Sequence, residues 1–554
     1  LALSIVIGIL AGLAAVLFSL AIDRADDIFF GLTPSPLRIF LVPVLVSIGT
    51  GVLLATLFPG VRGSGVPQTK AAFHLHGGVI SGREPLGKFL TGVLCIGSGH
   101  SMGREGPSVQ IGAGIASVVG QWLRLSPARV KELVPVGAAG ALAAAFNTPI
   151  AAVLFALEEI IGDLNATLLG STVVASVASV VVERSILGNE PLFHVPAYHL
   201  VHPAELIGYS ALGVAGGIVS LIFCKTLLGL RGAFQRLPRS TVMFQPALGG
   251  AAIGAILLLM PEVKGVGYEY VDQALNGDLL FRTMLVLCLV KFAATVISYC
   301  SGNAGGIFAP SLFIGAMAGG AVGALVNRVA PFPTAEPGAY ALVGMGTLFA
   351  GIIRAPMTSV FMIFEITQDY QILVPLMVAN LLSFMISRRF QPTPIYEALL
   401  RQDQIHLPSS ALRERAGWTA ADVMIQDVMY LPAGTPIDVA LAALRTDGRP
   451  ASIVGTSEQM LGIVTAEQLA RVSEAGRGDR SVESALEETF AHVHPDHPLD
   501  VVLERLAESP ELLPVVGRTA VRRVQGVITA DSIAQLARRP RTNPRLDRID
   551  NANY

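Results

Sequence analysis

Through its first four hundred residues the chain is a succession of apolar runs, beginning with Leu1–Ile22. Arg38–Phe58, Ala204–Leu230 and Leu279–Tyr299 are each long enough to predict a helix crossing a bilayer, which needs about 20 apolar residues. Other runs are cut short. Leu90–Ser101 breaks at Gly97-Ser-Gly-His100, Pro107–Leu123 opens on Gly106-Pro107, and Pro310–Val326 follows another glycine-rich turn. These breaks lie too close together for full spans on both sides of each. They predict helices interrupted at membrane depth, which is tolerated only where protein buries the free backbone or a cavity takes up its polar groups. Beyond residue 400 the pattern changes to short strands alternating with helix-period segments.

The broken segments occur in pairs. Gly103-Arg-Glu-Gly-Pro107-Ser-Val-Gln-Ile111-Gly-Ala113 lies over Gly306-Ile-Phe-Ala-Pro310-Ser-Leu-Phe-Ile314-Gly-Ala316, both reading G-x-x-x-P-S-x-x-I-G-A. Ala145–Glu158 lies over Ile352–Glu365, so that Pro149 meets Pro356 and Glu158 meets Glu365. More weakly, Gly63-Ser-Gly65 lies over Gly265-Val-Gly267. All three matches share an offset of roughly 200 residues, which predicts two similar halves, about 1–203 and 204–400. Matching breaks in two halves predict a binding site where the breaks meet; an inverted repeat is a usual arrangement for this pattern, though sequence cannot show it.

Composition agrees with a membrane part joined to a soluble one. The 554 residues are 52% hydrophobic and 14% charged, with a mean hydropathy of +0.59. Charged residues make up about a tenth of residues 1–400 and about a quarter of residues 401–554, the second value being ordinary for a soluble domain. We therefore expect a membrane domain over 1–400, a linker over 401–420, a soluble region over 421–540 and a polar tail over 541–554. A formal net charge of −2 gives no case for nucleic acid. The four cysteines, Cys95, Cys224, Cys288 and Cys300, have no paired spacing and exclude a disulfide scaffold or a cysteine zinc site. The chain starts at Leu1 within an apolar run, so the native N-terminus is expected to lie upstream.

Three turns carry the candidate chemistry: Gly63-Ser-Gly-Val-Pro67, Gly103-Arg-Glu-Gly-Pro107 and Gly305-Gly-Ile-Phe-Ala-Pro310. Each has glycine before, and proline at or just after, a predicted helix start. The first N–H groups of a helix lack internal acceptors and carry the positive end of its dipole. Three such ends meeting would bind an anion without a full positive charge, loosely enough to release it.

These motifs, in this order and spacing, together with Pro394-Ile-Tyr396, resemble the CLC family of chloride channels and proton–chloride antiporters. The resemblance covers nearly all of residues 1–400. It implies an all-α polytopic membrane domain with a two-fold internal repeat and broken helices, and a homodimer with one pore per subunit. It also implies a role for individual residues. The Ser64 hydroxyl and the Tyr396 phenol would face a central anion, with the backbone N–H groups of Ile307 and Phe308. Gly103, Arg104 and Gly106 would belong to the same anion path. Glu105 would be the gate, taking the anion's place when ionised and swinging out when protonated; its bland alternative is an ion pair with Arg104 or Lys88. Serine at position 64 goes with chloride in the family, whereas some nitrate-preferring members carry proline.

Glu159 stands out within the repeat. Glu158 has a counterpart in Glu365, but Glu159 faces Ile366. An extra carboxyl in an apolar run calls for a function or a buried partner, such as a nearby arginine. In antiporters of the family, a glutamate here passes protons from the cytoplasmic side, so the resemblance favours coupled antiport over a passive channel. A near P-loop, Gly82-Arg-Glu-Pro-Leu-Gly87-Lys88-Phe89, lacks the magnesium-binding hydroxyl and a preceding strand and is rejected; Lys88 is expected to add positive potential or pair with an acid. His492, His494 and His497 read as a soluble loop and not a metal site. Asn165-Ala-Thr167 is a formal sequon, read as accidental. No nucleophile–base or metal pattern suggests an enzyme in residues 1–400.

Residues 421–472 and 482–536 read as two copies of one α/β unit, with helices from Pro436 and Pro498 and paired strands ending near Thr465 and Thr529. They resemble a tandem pair of CBS domains, placed on the cytoplasmic side of a plasma or inner membrane by the resemblance. In nucleotide-binding pairs an Asp commonly sits three residues after the final Thr; here those positions are Gln468 and Ser532. No resident cofactor is expected: chloride and protons are the ions moved, and nucleotide binding is doubtful. A ligand-sensing receptor built on the tandem domains is the rival of another class, and it leaves the three glycine-rich turns unexplained.

Overall fold

The computed structural model describes residues 1–163, 166–188, 192–193, 195–196, 198, 200–368, 370–407, 418–486, 490–508, 511–518 and 520–533. Asn165 of the sequon and the tail over 541–554 lie outside these residues. The chain divides into two compact units, the first spanning Leu1–Leu407.

The first unit is helical throughout and runs through its elements twice. The first pass comprises α1 (Ala2–Phe30), α2 (Pro36–Thr56), α3 (Val66–Leu75), α4 (Arg83–Gly97), α5 (Glu105–Trp122), α6 (Pro127–Phe146), α7 (Pro149–Phe155) and α8 (Ala166–Leu187). The second comprises α9 (Glu205–Gln235), α10 (Gln245–Leu259), α11 (Tyr268–Leu275), α12 (Phe281–Cys300), α13 (Phe308–Val329), α14 (Pro337–Ile352), α15 (Pro356–Thr367) and α16 (Leu373–Phe390); α17 (Ile395–Gln402) follows. The order of elements corresponds along the series. The third helix of each pass is short, and both are preceded by a Gly-x-Gly turn. Among the described residues, seven helices are long and apolar enough to cross a membrane.

Packing repeats with the elements. α5 lies on α6 as α13 lies on α14, and α1 on α8 as α9 on α16. The shared I-G-A motif explains the first of these crossings. A Cβ on Gly112 would strike the Gly137 carbonyl, and one on Gly315 would strike the Gly344 carbonyl. Only glycine permits such backbone approach, a usual device where helices associate without a hydrophobic drive.

The repeat is inverted. The Glu365 carboxylate, near the end of α15, accepts from the Ile150 and Ala151 N–H groups at the start of α7, at 2.8 and 2.7 Å. The Glu158 carboxylate, in the π-helical turn Ala156–Ile161 that ends α7, accepts from Met357 and Thr358 at the start of α15, at 3.2 and 2.9 Å. Equivalent helices thus pack head to tail. The repeat alignment paired these two glutamates, and each satisfies orphan N–H groups of the other half.

The second unit contains two α/β modules. In the first, helix Ile437–Asp447 is followed by β2 (Ala451–Gly455), β3 (Met460–Thr465) and helix Ala466–Val472; β1 (Tyr430–Leu431) pairs parallel with β2, and β2 antiparallel with β3. In the second, helix Leu499–Glu508 precedes the antiparallel pair β4 (Leu513–Val516) and β5 (Val524–Ile528). Residues 530–533 begin the next helix; its expected continuation to Ala537 lies outside the described residues. Of the expected linker over 401–420, residues 401–407 belong to the first unit and 408–417 are not described.

Candidate functional site

The three glycine-rich turns meet. Gly103 and Gly306 exchange both backbone hydrogen bonds at 2.8 Å, and the Gly305 N–H donates to the Gly63 carbonyl at 3.1 Å. The starts of α3, α5 and α13 are thereby tied into one junction deep in the protein. Glycine is required where Gly63 and Gly65 take φ of +76° and +103°. Gly106 needs it for proximity, since a Cβ there would lie 2.5 Å from the Ser64 hydroxyl and 2.8 Å from its carbonyl.

Lysines behind the junction hold its turns. Lys88, fully buried on α4, donates to the Val61 carbonyl at 2.8 Å and to the Gly63 carbonyl. Lys291, fully buried on α12, does the same in the other half, donating to Val263 at 3.0 Å and Gly265 at 2.7 Å. The ammonium groups answer carbonyls that the Gly-x-Gly turns leave without helical partners. Lys88 takes no acid partner among the described residues, unlike one of the two roles expected for it, and its place inside α4 disposes of the P-loop.

Ser64, Ile307 and Phe308 lie at this junction, and Tyr396 lies beside Ser64. Ser64 and Tyr396 are fully buried, and neither hydroxyl has a hydrogen-bond partner among the described residues. Ile307 and Phe308 stand at the start of α13, fully enclosed, where their N–H groups have no intrahelical acceptor. Around Phe308 pack Phe349, Phe146 and Phe155, with ring centroids 4.5, 5.1 and 5.6 Å away. This apolar wall excludes water from the junction and sharpens the fields of the helix starts. Orphan hydroxyls and N–H groups in an apolar shell form a donor set for a small anion, because an unmet buried polar group is costly.

Glu105 is the first residue of α5 and wholly buried. One carboxyl oxygen, Oε1, accepts from the Tyr268 phenol at 2.6 Å; the other, Oε2, lies over Gly103 and has no side-chain partner. The ion pair with Arg104 or Lys88 is not formed. Arg104 instead places its guanidinium 5.7 Å from the Tyr268 ring centre, and it lines a cavity of about 620 Å³ with Asp23, Asp26, Lys264 and Tyr268.

Glu159 is also buried, and its partner is Lys70 of α3, at 2.6 Å. The arginine considered as a partner is thus replaced by a lysine. No motif in the sequence marks Lys70, Tyr268 or Lys291, nor Tyr299, whose phenol lies 3.2 Å from where a Gly63 Cβ would stand. Lys70 was the most accessible of these: it falls one helical turn after Val66, on the helix that Ser64 introduces.

In the second unit, Gln468 and Ser532 complete helix caps. Thr465 and Gln468 exchange backbone-to-side-chain hydrogen bonds at 3.0 and 3.1 Å, and Thr529 and Ser532 do so at 3.1 and 3.2 Å. His492, His494 and His497 lie ring to ring, centroids 5.5 and 4.9 Å apart. Among the described residues no cluster of metal-ligating side chains occurs.

Comparison with known proteins agrees with this geometry. The family described as voltage gated chloride channel matches residues 47–388, and that described as CBS domain matches residues 420–475. A putative chloride channel protein ClcB-like of Ralstonia nicotianae is 33% identical over 378 residues, covering 67% of this chain and 88% of the relative. An H(+)/Cl(−) exchange transporter ClcA of Vibrio campbellii is 30% identical over 411 residues, covering 72% and 88%. Among solved structures, that of a slow cyanobacterial Cl−/H+ antiporter superposes with a TM-score of 0.67 at 28% identity, covering 73% of this chain and 97% of the other. A eukaryotic CLC transporter, 20% identical, shares the fold with a TM-score of 0.65 over 96% and 97%. With its inverted halves, its joined glycine turns and these relatives, the chain belongs to the voltage-gated chloride channel family, the CLC proteins, as an integral membrane protein with a CBS domain in its C-terminal part.

Proposed function

We propose that this protein exchanges chloride for protons across a membrane. The observation that carries the reading is the junction itself. A carboxyl with one oxygen free of side-chain partners, Glu105, stands at the same meeting of helix starts as the unpartnered hydroxyls of Ser64 and Tyr396. An ionised carboxylate and a chloride ion compete for the same donors. Protonation removes the competitor, so one proton and the anion are coupled through one site. Gly103, Gly106, Ile307 and Phe308 supply the close backbone; Arg104 acts from the cavity beside the gate.

Glu159 supplies the second proton-carrying carboxyl, and this favours exchange over a passive channel. Its tie to Lys70 keeps a carboxylate affordable inside the protein until a proton arrives. The named exchangers among the relatives support the same reading. The protein works as a homodimer in a bilayer of the cell, with the CBS part on the cytoplasmic side and chloride and protons as its ions. That part acts in dimer assembly; Gln468 and Ser532 stand where a ribose-binding Asp would, so no nucleotide is assigned.

The test is purified protein in liposomes, with chloride and pH followed together. An imposed chloride gradient should drive protons against their own gradient. Chloride flux with no uphill proton movement would establish a channel instead.

A further inference from the structure

The two Gly-x-Gly turns have the same build and different surroundings. In the first half the turn presents Ser64 to the junction. In the second half Gly265 and Gly267 again take positive φ, +53° and +79°, and the turn is again held by a buried lysine, Lys291. It presents Tyr268, the first residue of α11. The Tyr268 ring is fixed from two sides, by Phe193 edge-on at 5.3 Å and by the Arg104 guanidinium at 5.7 Å. Its phenol donates to Glu105 Oε1 at 2.6 Å.

We infer that Tyr268 is a positioning residue that latches the Glu105 carboxylate in the closed position, so that the repeat of the anion-binding turn serves to hold the gate. The inference rests on Glu105 being the gate. A phenol that donates to a carboxylate stabilises the ionised, occluding form more than the protonated one. Its short charge-assisted bond also fixes the side chain. Protonation weakens this bond, and the carboxyl is then free to leave the junction. Tyr268 and Arg104, the chain neighbour of Glu105, both line the cavity of about 620 Å³.

Among the described residues, charged groups around this latch come from the cavity lining, and Glu183 of α8 also faces Arg104. Arg104 comes from the turn before α5, Asp23 and Asp26 from α1, and Glu262, Lys264 and Glu269 from the segment around the second turn. Asp26 is tied to Lys264 at 2.8 Å. Among the described residues, the phenol is the side chain that bonds Glu105 directly.

The experiment uses the full chain in liposomes, with equal pH on both faces and chloride flux measured across a pH series. Tyr268→Phe keeps the ring and its packing and deletes the donor. The pH of half-maximal flux should move upward by about one unit, as expected for losing one hydrogen bond to a charged group. In a Glu105→Gln background the same change should have no effect on the pH profile, and the flux of that double variant reports correct folding. A Tyr268→Phe profile that superimposes on the parent, while Glu105→Gln abolishes pH dependence, overturns the latch and leaves the gate intact. An unaltered pH profile in Glu105→Gln overturns the gate itself.

Discussion

Glu158 caps the helix that begins at Pro356, and Glu365 caps the helix that begins at Pro149. Each carboxylate bonds two backbone N–H groups, and Glu158 also takes the Thr358 hydroxyl at 2.8 Å. This is a cap made across the interface between the two halves. Removing a capping side chain costs about 0.5–2 kcal/mol. Glu365→Ala should therefore lower the thermal stability of the detergent-solubilised protein while leaving the proton-to-chloride ratio unchanged. Glu158→Val should be at least as damaging to folding or expression, because it loses three hydrogen bonds.

Lys70 and Glu159 form a buried pair, and its two members should not be equivalent in function. Losing one partner of such a pair leaves an uncompensated charge and costs about 3–5 kcal/mol. Lys70→Met should be strongly destabilised, and the double variant Lys70→Met with Glu159→Leu should recover much of that stability. Glu159→Gln should keep chloride flux and sharply reduce proton movement. Normal proton transport in Glu159→Gln would place the inner proton route elsewhere.

Glu105→Gln mimics the protonated gate. Chloride flux should persist across the pH range, and both its pH dependence and its proton coupling should vanish. The sign follows from competition: the ionised side chain occludes the site, so the parent protein should pass more chloride as pH falls. Simultaneous recordings of chloride and proton flux check both statements.

Ser64→Pro removes a buried hydroxyl whose oxygen has no protein partner, and it reshapes the turn between Gly63 and Gly65. Selectivity should move from chloride toward nitrate. Tyr396→Ala should weaken coupling by loosening the same site. Calorimetry with chloride should show reduced affinity in both; unaltered affinity in both would place the central anion elsewhere.

ATP should not stabilise the second unit. A ligand present at a thousand times its dissociation constant adds about 4 kcal/mol, which a thermal scan would register at once. With Gln468 and Ser532 each engaged in a helix cap, millimolar ATP should leave the unfolding of that unit unmoved. A clear upward shift would restore a nucleotide-sensing role.

Glycine and proline act locally, so the places where the backbone breaks are legible from residue order. The turns at Gly63, Gly103 and Gly305, the helix starts after them, and the paired strands ending near Thr465 and Thr529 follow from residue type and short-range order. Repetition of G-x-x-x-P-S-x-x-I-G-A also made the two halves visible without coordinates. The inversion of the halves is visible in three dimensions alone, in the head-to-tail packing of α7 and α15. The tertiary structure also decides that Glu159 meets Lys70 across 89 residues of chain and that Glu105 meets Tyr268 across 163. Those partners are chosen by packing. A buried carboxyl needs a donor, but many donors would serve chemically, and the one that arrives is set by which helices cross. Lys88 shows the same limit. Its sequence setting suggested a general positive potential or an acid partner, whereas the fold places it under two carbonyls of a turn that begins 27 residues earlier.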